Sequence, residues 1–293
     1  MEKELIDQEL ELAAKRAITH IIGSKDSLKS LYQQHGRAIF LAENLHIILK
    51  VYMAERLLQR DHEIAQKAAS IGLPTPKILG FEAGQPAVFA MQQVIGRPLS
   101  SHNPVAAKEA GRYLRCFHEI GAHPPFSGGQ QQWNAFISWW VRVEMEKVKR
   151  LEVLDIFHLS EFQERFEQIQ LLLAQRPIVL LHGDLQPAHI LVDSQTEKVL
   201  AFLDFADAQP GDPLLDIAVL TLWDHELTDF LLKGYSSIVL TEETQQLLSF
   251  YRLLRHLAEI PWLLERGFKE LAERNIIALK DSLTARDHLN SHS

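Results

Sequence analysis

The residues best equipped for chemistry lie in PIVLLHGDLQPAHILVDSQTEKVLAFLDFADAQPGDPLLDIA, which begins at Pro177. Two short apolar runs, 178–181 and 190–192, bracket the polar segment HGDLQPAH, and a third, 199–203, leads into Asp204. Runs this short, separated by turn residues, predict buried strands. DSQTEK supplies the turn between the second and third runs, so these predict a hairpin centred near 195–196. Counting outward from that centre brings His189 and Asp204 opposite each other at the open end. Cross-strand neighbours sit within about 5.5 Å, which puts Asp184, His189 and Asp204 on one rim. Two carboxylates and an imidazole can hold a divalent cation, work as acid and base, or form a satisfied buried polar network.

HGDLQPAHILVD followed by FLDFADAQPGDPLLDIA resembles the catalytic and metal loops of the aminoglycoside phosphotransferase and choline kinase family, small-molecule kinases with a protein-kinase-like fold. The family pattern is HGDxxxxN, a hairpin, (I/L)DF or (I/L)DW, then GDPxxDLA. This chain follows it in order and spacing with one departure, His189 in place of asparagine. A similar HGDxxxxH loop occurs in macrolide phosphotransferases. The resemblance implies an α+β, two-lobed fold with a small antiparallel-sheet N-lobe and a larger, mainly helical C-lobe. It implies Asp184 as the catalytic carboxylate, Asp204 as the Mg²⁺ ligand that bridges to the phosphates, and His189 as the second metal-facing position. His182 and Asp216 would support the loop, Asp212 would cap a helix, and Asp207 would be a substrate contact or merely solvated. ATP or GTP would be the co-substrate. An imidazole nitrogen is softer than an amide oxygen and is lost as a donor on protonation, so Mn²⁺ should be well tolerated and activity should fall in mild acid.

These groups need elements to position them. Residues 5–22 carry apolar residues at helical spacing, and 27–32, 37–42 and 45–52 read as strands of two successive hairpins. Lys50 stands within IILKV, where an unpaired lysine is costly if the strand is central. The resemblance makes it the phosphate-contacting lysine, and Glu63, on a helix over 53–71, its partner. Only Gly36 is available to a phosphate-covering turn, in YQQHGRA, where the family has several glycines. Strands at 77–81 and 87–94 lead into MQQVIGRPL, which resembles the family's passage between lobes. Gln92, Gln93 and Val94 would offer backbone groups to the base. The implied division is residues 1–96 as a nucleotide-binding lobe and 97–293 as a catalytic and substrate-binding lobe.

Asn103-Pro104 marks a helix start, and the helix to about 120 would bury Cys116 and use His118 structurally. Helical stretches at 133–152 and 160–175 bring Trp139 and Glu144, an aromatic face and a carboxylate suited to a cationic acceptor or simply a packed helix. Helices are expected at 217–224, 227–235, 241–265 and 268–283, before a polar tail, RDHLNSHS.

Composition bounds the rest. A chain of 293 residues with a 46% hydrophobic fraction can build two domain-sized cores. One cysteine excludes an internal disulfide and suits a reducing cytoplasm. A net charge of −8 disfavours nucleic acid as partner, and no apolar run approaches a membrane span. The partners expected are a nucleotide and a small-molecule hydroxyl acceptor. A metal-dependent hydrolase and a pseudokinase that binds nucleotide without turnover are the rival readings, and the acceptor and the oligomeric state are not legible.

Overall fold

Burial alternates along residues 37–42, and the reason is the period-two geometry of a strand with one face on a core. The computed structural model describes residues 2–120 and 129–284; the polar tail at 286–293 lies outside the described residues. In chain order, α1 (Glu2–Ile22), β1 (Leu28–Gln34), β2 (Arg37–Ala42), β3 (Ile47–Tyr52), α2 (Glu55–Ser70), β4 (Ile78–Glu82) and β5 (Ala87–Gln92) form the N-terminal part. The five strands make an antiparallel sheet ordered β1-β2-β3-β5-β4, with β3 central. One face, built from Ala38, Phe40, Ala42, Ile47, Leu49 and Val51, packs on Leu10, Ala13, Ala14, Ala17 and Ile18 of α1. The other face carries Ile39, Ile48, Lys50, Phe89 and Met91.

β6 (Arg97–Pro98), α3 (Pro104–His118), α4 (Gln130–Arg150), α5 (Ile156–Leu173), β7 (Val179–Leu181), β8 (Ile190–Val192), β9 (Val199–Phe202) and β10 (Gln209–Gly211) follow. α6 (Pro213–Leu220), α7 (Leu227–Tyr235), α8 (Glu242–Glu265) and α9 (Lys269–Thr284) complete the described chain. The architecture is α+β and the expected elements are present, most with ends displaced by a few residues; the helix expected at 217–224 is corrected to Pro213–Leu220, since Asp212 caps it and Pro213 opens it. The expected burial of Cys116 is corrected: it is exposed, while its neighbours Leu114 and Phe117 face inward.

Contacts divide the chain into two compact units. The first comprises Met1–Ile120, His182–Gln209 and Glu226–Ser236, and the second Gly121–Leu181, Pro210–His225 and Ser237–Ser293. In the first unit, β8 and β9 pair with β6 at their side, and α3 packs along α7, where His118 Nδ1 lies 2.8 Å from the Tyr235 hydroxyl. In the second unit, Asp212 caps α6 by accepting from the Leu214 amide (3.0 Å). Its carboxylate also accepts from Arg176 Nε (2.9 Å) and the Tyr251 hydroxyl (3.1 Å). A fully buried carboxylate is tolerated here because donors surround it.

A second buried polar group gives this unit a pH response. The Asn275 amide donates to the Leu271 carbonyl (2.9 Å), which aims its Oδ1 at His256 Nδ1, 2.8 Å away. His256 therefore carries its proton on Nδ1 and is neutral. Burial lowers its pKa from the ordinary 6.5, the Asn275 bond opposes this, and His225 and Arg252 add to the lowering. A lowered histidine contributes stability that is present above its unfolded value and lost as pH falls toward the folded one. The melting temperature is accordingly expected to drop between about pH 7 and pH 5. His256→Gln should lose less across the same range; parallel melting curves for the two proteins would refute this role.

Candidate active site

Lys50 is on the central strand, cross-strand from Ile39 and Phe89, and only 6% of its surface is exposed. A buried ammonium must be paired, and two carboxylates do so: Asp61 Oδ2 at 2.6 Å and Asp204 Oδ1 at 2.8 Å. Burial alone would lower the lysine pKa; Asp61 and then Asp204 reverse this and hold it well above its ordinary value. Asp61 Oδ1 also accepts from the Phe205 amide at 2.8 Å, so one carboxylate fixes both the lysine and the backbone just after Asp204. Asp204 adopts a φ of +68°, a conformation unfavourable for a side-chain-bearing residue. That conformation persists because the flanking bonds over-determine it. Burial pushes the Asp204 carboxyl up, but Lys50 and then His189 outweigh it, and the group stays ionised far into acid.

The segment 182–189 is tied to this centre. Gly183, at φ +86°, lies so close to the Asp207 carbonyl that a Cβ would stand 2.0 Å from its oxygen, which leaves no room for any other residue. His182 is buried and donates from Nε2 to the Leu203 carbonyl (2.9 Å), beside Phe205 and the His189 ring. Gln186 Nε2 donates to both carboxylate oxygens of Asp184 (3.0 and 3.1 Å), orienting the group. The Leu203 amide donates to the His189 carbonyl at 2.9 Å and Ile190 is paired with Phe202, so the expected register is corrected by one residue: Leu203, not Asp204, is opposite His189. The His189 ring donates from Nδ1 to the Asp184 carbonyl (2.6 Å). Its Nε2 then stands 3.8 Å from Asp204 Oδ2. Asp207 completes the rim: partial burial raises its carboxyl pKa, and the negative charges of Asp184 and then Asp204 add to the rise.

A cavity of about 350 Å³ opens onto this centre, lined by Lys50, Asp61, His189 and Asp204 at one side. Apolar side chains including Ile39, Ile48, Phe89, Met91 and Leu191 make its walls, with Gln92, Gln93 and Val94 at its edge. An apolar slot ending in a few convergent polar groups is the usual form of a small-molecule site. The Gln92 amide already donates to the Lys77 carbonyl (2.9 Å) and the Gln93 amide to the His46 carbonyl (2.7 Å). Neither N–H can serve a ligand.

Other expectations change. The partner of Lys50 is Asp61, not Glu63, which is exposed and accepts from Gln59 at 2.8 Å. Leu58, Ile64, Ala65 and Ala68 form the buried face of α2 together with Asp61, and Glu63, two residues on, points about 200° round the helix. Helical periodicity could have found this. Gly36 belongs to no open loop. His35 and Gly36, with φ of 51° and 71° between the paired residues Gln34 and Arg37, make a two-residue turn of the I′ kind. The Gly36 carbonyl accepts from the Met53 amide (2.8 Å).

Trp139 and Glu144 do not share a face. Five residues apart, they diverge by about 140°: Trp139 is half exposed, whereas Glu144 is buried and bonded to Lys147 at 2.9 Å. The aromatic residues stack among themselves, Phe136 lying against Trp133, Trp139 and Trp140. Asp216, in the first turn of α6, is wholly buried in the second unit.

Comparison with known proteins adds the following. A family model described as "Phosphotransferase enzyme family" matches residues 39–251. No curated protein matches the chain significantly. Among solved structures, the GDP complex of aminoglycoside 2'-phosphotransferase-IIIa is 15% identical, covering 93% of this chain and 98% of that one with a TM-score of 0.69. A choline/ethanolamine kinase family protein from Mesorhizobium loti is 17% identical, covering 94% and 95%, TM-score 0.69. The Streptomyces rimosus phosphotransferase APH(3'')-Id, solved with ADP and streptomycin, is 20% identical over 84% of this chain and 98% of its own, TM-score 0.60. These likenesses establish a shared kinase-like fold. The family match spans most of the chain and takes in Lys50, Asp61, Asp184, His189 and Asp204, and the protein therefore belongs to the phosphotransferase enzyme family, kinases that act on hydroxyl groups of small molecules.

Proposed function

We propose that this protein transfers the terminal phosphoryl group of ATP or GTP to a hydroxyl of a small molecule, such as an aminoglycoside, a macrolide or another amino-alcohol. The observation that carries the reading is the Lys50–Asp204 ion pair at the wall of one cavity, with His189 Nε2 beside the same aspartate. The apolar slot takes the purine, with the carbonyl of Gln92 and the backbone of Val94 at its edge, and Lys50 takes the inner phosphates. Residues 1–96 act as the nucleotide-binding part, and 97–293 carry the catalytic loop and the acceptor-binding surface. Asp207, whose carboxyl feels Asp184 and Asp204, is a further carboxylate for a cationic acceptor, while Trp139 and Glu144 would have to act separately. His182 and Asp216 serve as supports.

The residues fit a magnesium ion. His189 Nε2 and Asp204 offer a nitrogen and an oxygen on one side, and such an ion takes one or two protein ligands together with phosphates and water. When bound, it would neutralise charge on the phosphates. Asp184, oriented by Gln186, accepts the proton of the acceptor hydroxyl as its oxygen bonds to the terminal phosphorus. The bond from that phosphorus to the bridging oxygen breaks, and the nucleoside diphosphate leaves. The hydrolase reading requires His182, Asp184, His189 and Asp204 to ligate together, and it gives no part to the buried Lys50 and its two ion pairs. The pseudokinase reading has one observation in its favour, the closed turn at His35-Gly36.

A panel of aminoglycosides, macrolides, choline-like alcohols and sugars, scored by ADP or GDP release with Mg²⁺, Mn²⁺ or chelator, tests the proposal. Release stimulated by one acceptor class and abolished by chelator is expected. Tight nucleotide binding with no stimulated release by any class would support the pseudokinase instead.

A further inference from the structure

The turn between β1 and β2 is too short to wrap a phosphate, and the sheet register shows what stands in its place. Ile39 pairs with Lys50 and Arg37 with Tyr52. Residues two apart on a strand share a face, so Arg37 and Tyr52 extend by one row the face that carries Ile39 and Lys50. One row is about 7 Å, and it lies on the side of Lys50 away from Ile48 and Met91. The Arg37 guanidinium carbon sits 5.2 Å from the Tyr52 ring centroid, which keeps the exposed side chain over this face. Its positive charge reaches Asp207, the carboxyl that also feels Asp184 and Asp204.

Charge balance gives this position a purpose. Lys50 is already shared by Asp61 and Asp204, and Asp184 and Asp207 add further negative charge around the place a terminal phosphate must occupy. A nucleoside triphosphate is itself strongly anionic, so the inner lysine does not suffice. Resting on the phosphotransferase reading above, we infer that Arg37 is a phosphate-binding residue, holding the terminal phosphate through its planar guanidinium in place of the backbone amides of a glycine-rich turn. A purine in the apolar slot, inner phosphates at Lys50 and the terminal phosphate one row further on follow the sheet face in order.

The test uses the whole protein with ATP and GTP analogues carrying an imido β–γ bridge, the corresponding diphosphates and the nucleosides, titrated by calorimetry. Arg37→Ala is expected to weaken the triphosphate analogue by about 10- to 100-fold and to leave the diphosphate and nucleoside within about 3-fold. Arg37→Lys should recover part of the loss. Because Arg37 is exposed, the melting temperature of the unliganded variants should match that of the unchanged protein. An equal loss for di- and triphosphate, or no loss, overturns the inference. Lys50→Ala separates the two levels of the argument. If it weakens every nucleotide while Arg37→Ala weakens none, only the role of Arg37 falls; if the unchanged protein binds no nucleotide, the phosphotransferase reading falls with it.

Discussion

Asp184→Asn is expected to lower kcat by about 10²- to 10⁴-fold, the usual contribution of a positioned general base, with nucleotide affinity changed by less than about 3-fold. The substitution keeps the size of the side chain and removes its capacity to take a proton. It also leaves in place both carboxylates bonded to Lys50, Asp61 and Asp204. Steady-state release of nucleoside diphosphate, set beside calorimetric binding, separates the two effects. Gln186→Ala should act more mildly and in the same direction, because Gln186 only orients the carboxylate through its two bonds. Should the asparagine variant turn over normally, Asp184 is not the proton acceptor and the catalytic assignment is lost.

The second large effect is on stability. Asp61→Ala removes the more buried of the two carboxylates that pair the Lys50 ammonium, at a site where 8% of the lysine side chain is exposed and only 2% of that of Asp61. Breaking one partner of such a pair costs about 3–5 kcal/mol, or roughly 6–20 °C in melting temperature for a chain of this size class. The Phe205 amide loses its acceptor at the same time, so the backbone holding Asp204 loosens and nucleotide affinity should fall as well. Glu63→Gln, on the exposed side of the same helix, should change stability by no more than about 0.5 kcal/mol. The paired replacement Lys50→Met with Asp61→Leu should regain much of the lost stability, since an apolar pair of similar volume avoids desolvating charge, without regaining nucleotide binding. Equal melting curves for the Asp61 and Glu63 variants would refute the stabilising role of the Lys50–Asp61 pair.

The features readable from the chain alone were those with local causes. Turn chemistry at DSQTEK and two apolar runs predict β8 and β9, and the structure pairs them with Ile190 opposite Phe202. Asn103-Pro104 and Asp212-Pro213 announce helix starts, and helices begin there, because a proline fixes its own backbone angle without reference to distant residues. The spacing of HGD, LDF and GDP likewise sufficed to choose the family, since these groups are held within one hairpin and its flanks.

Packing between distant segments settled what local spacing left open. Whether Asp61 or Glu63 meets Lys50 depends on which side of α2 turns toward the sheet, and the apolar contacts of Leu58, Ile64 and Ala68 set that rotation. Trp139 and Glu144 are near neighbours in the chain, yet the burial of Trp133, Ile137 and Val141 turns one outward and the other in. Arg37 drew no notice as a letter beside a lone glycine. Its place in line with Lys50 comes from pairing β2 with β3, in which hydrogen bonds join residues far apart in the chain and a shift of one residue would turn every side chain to the opposite face.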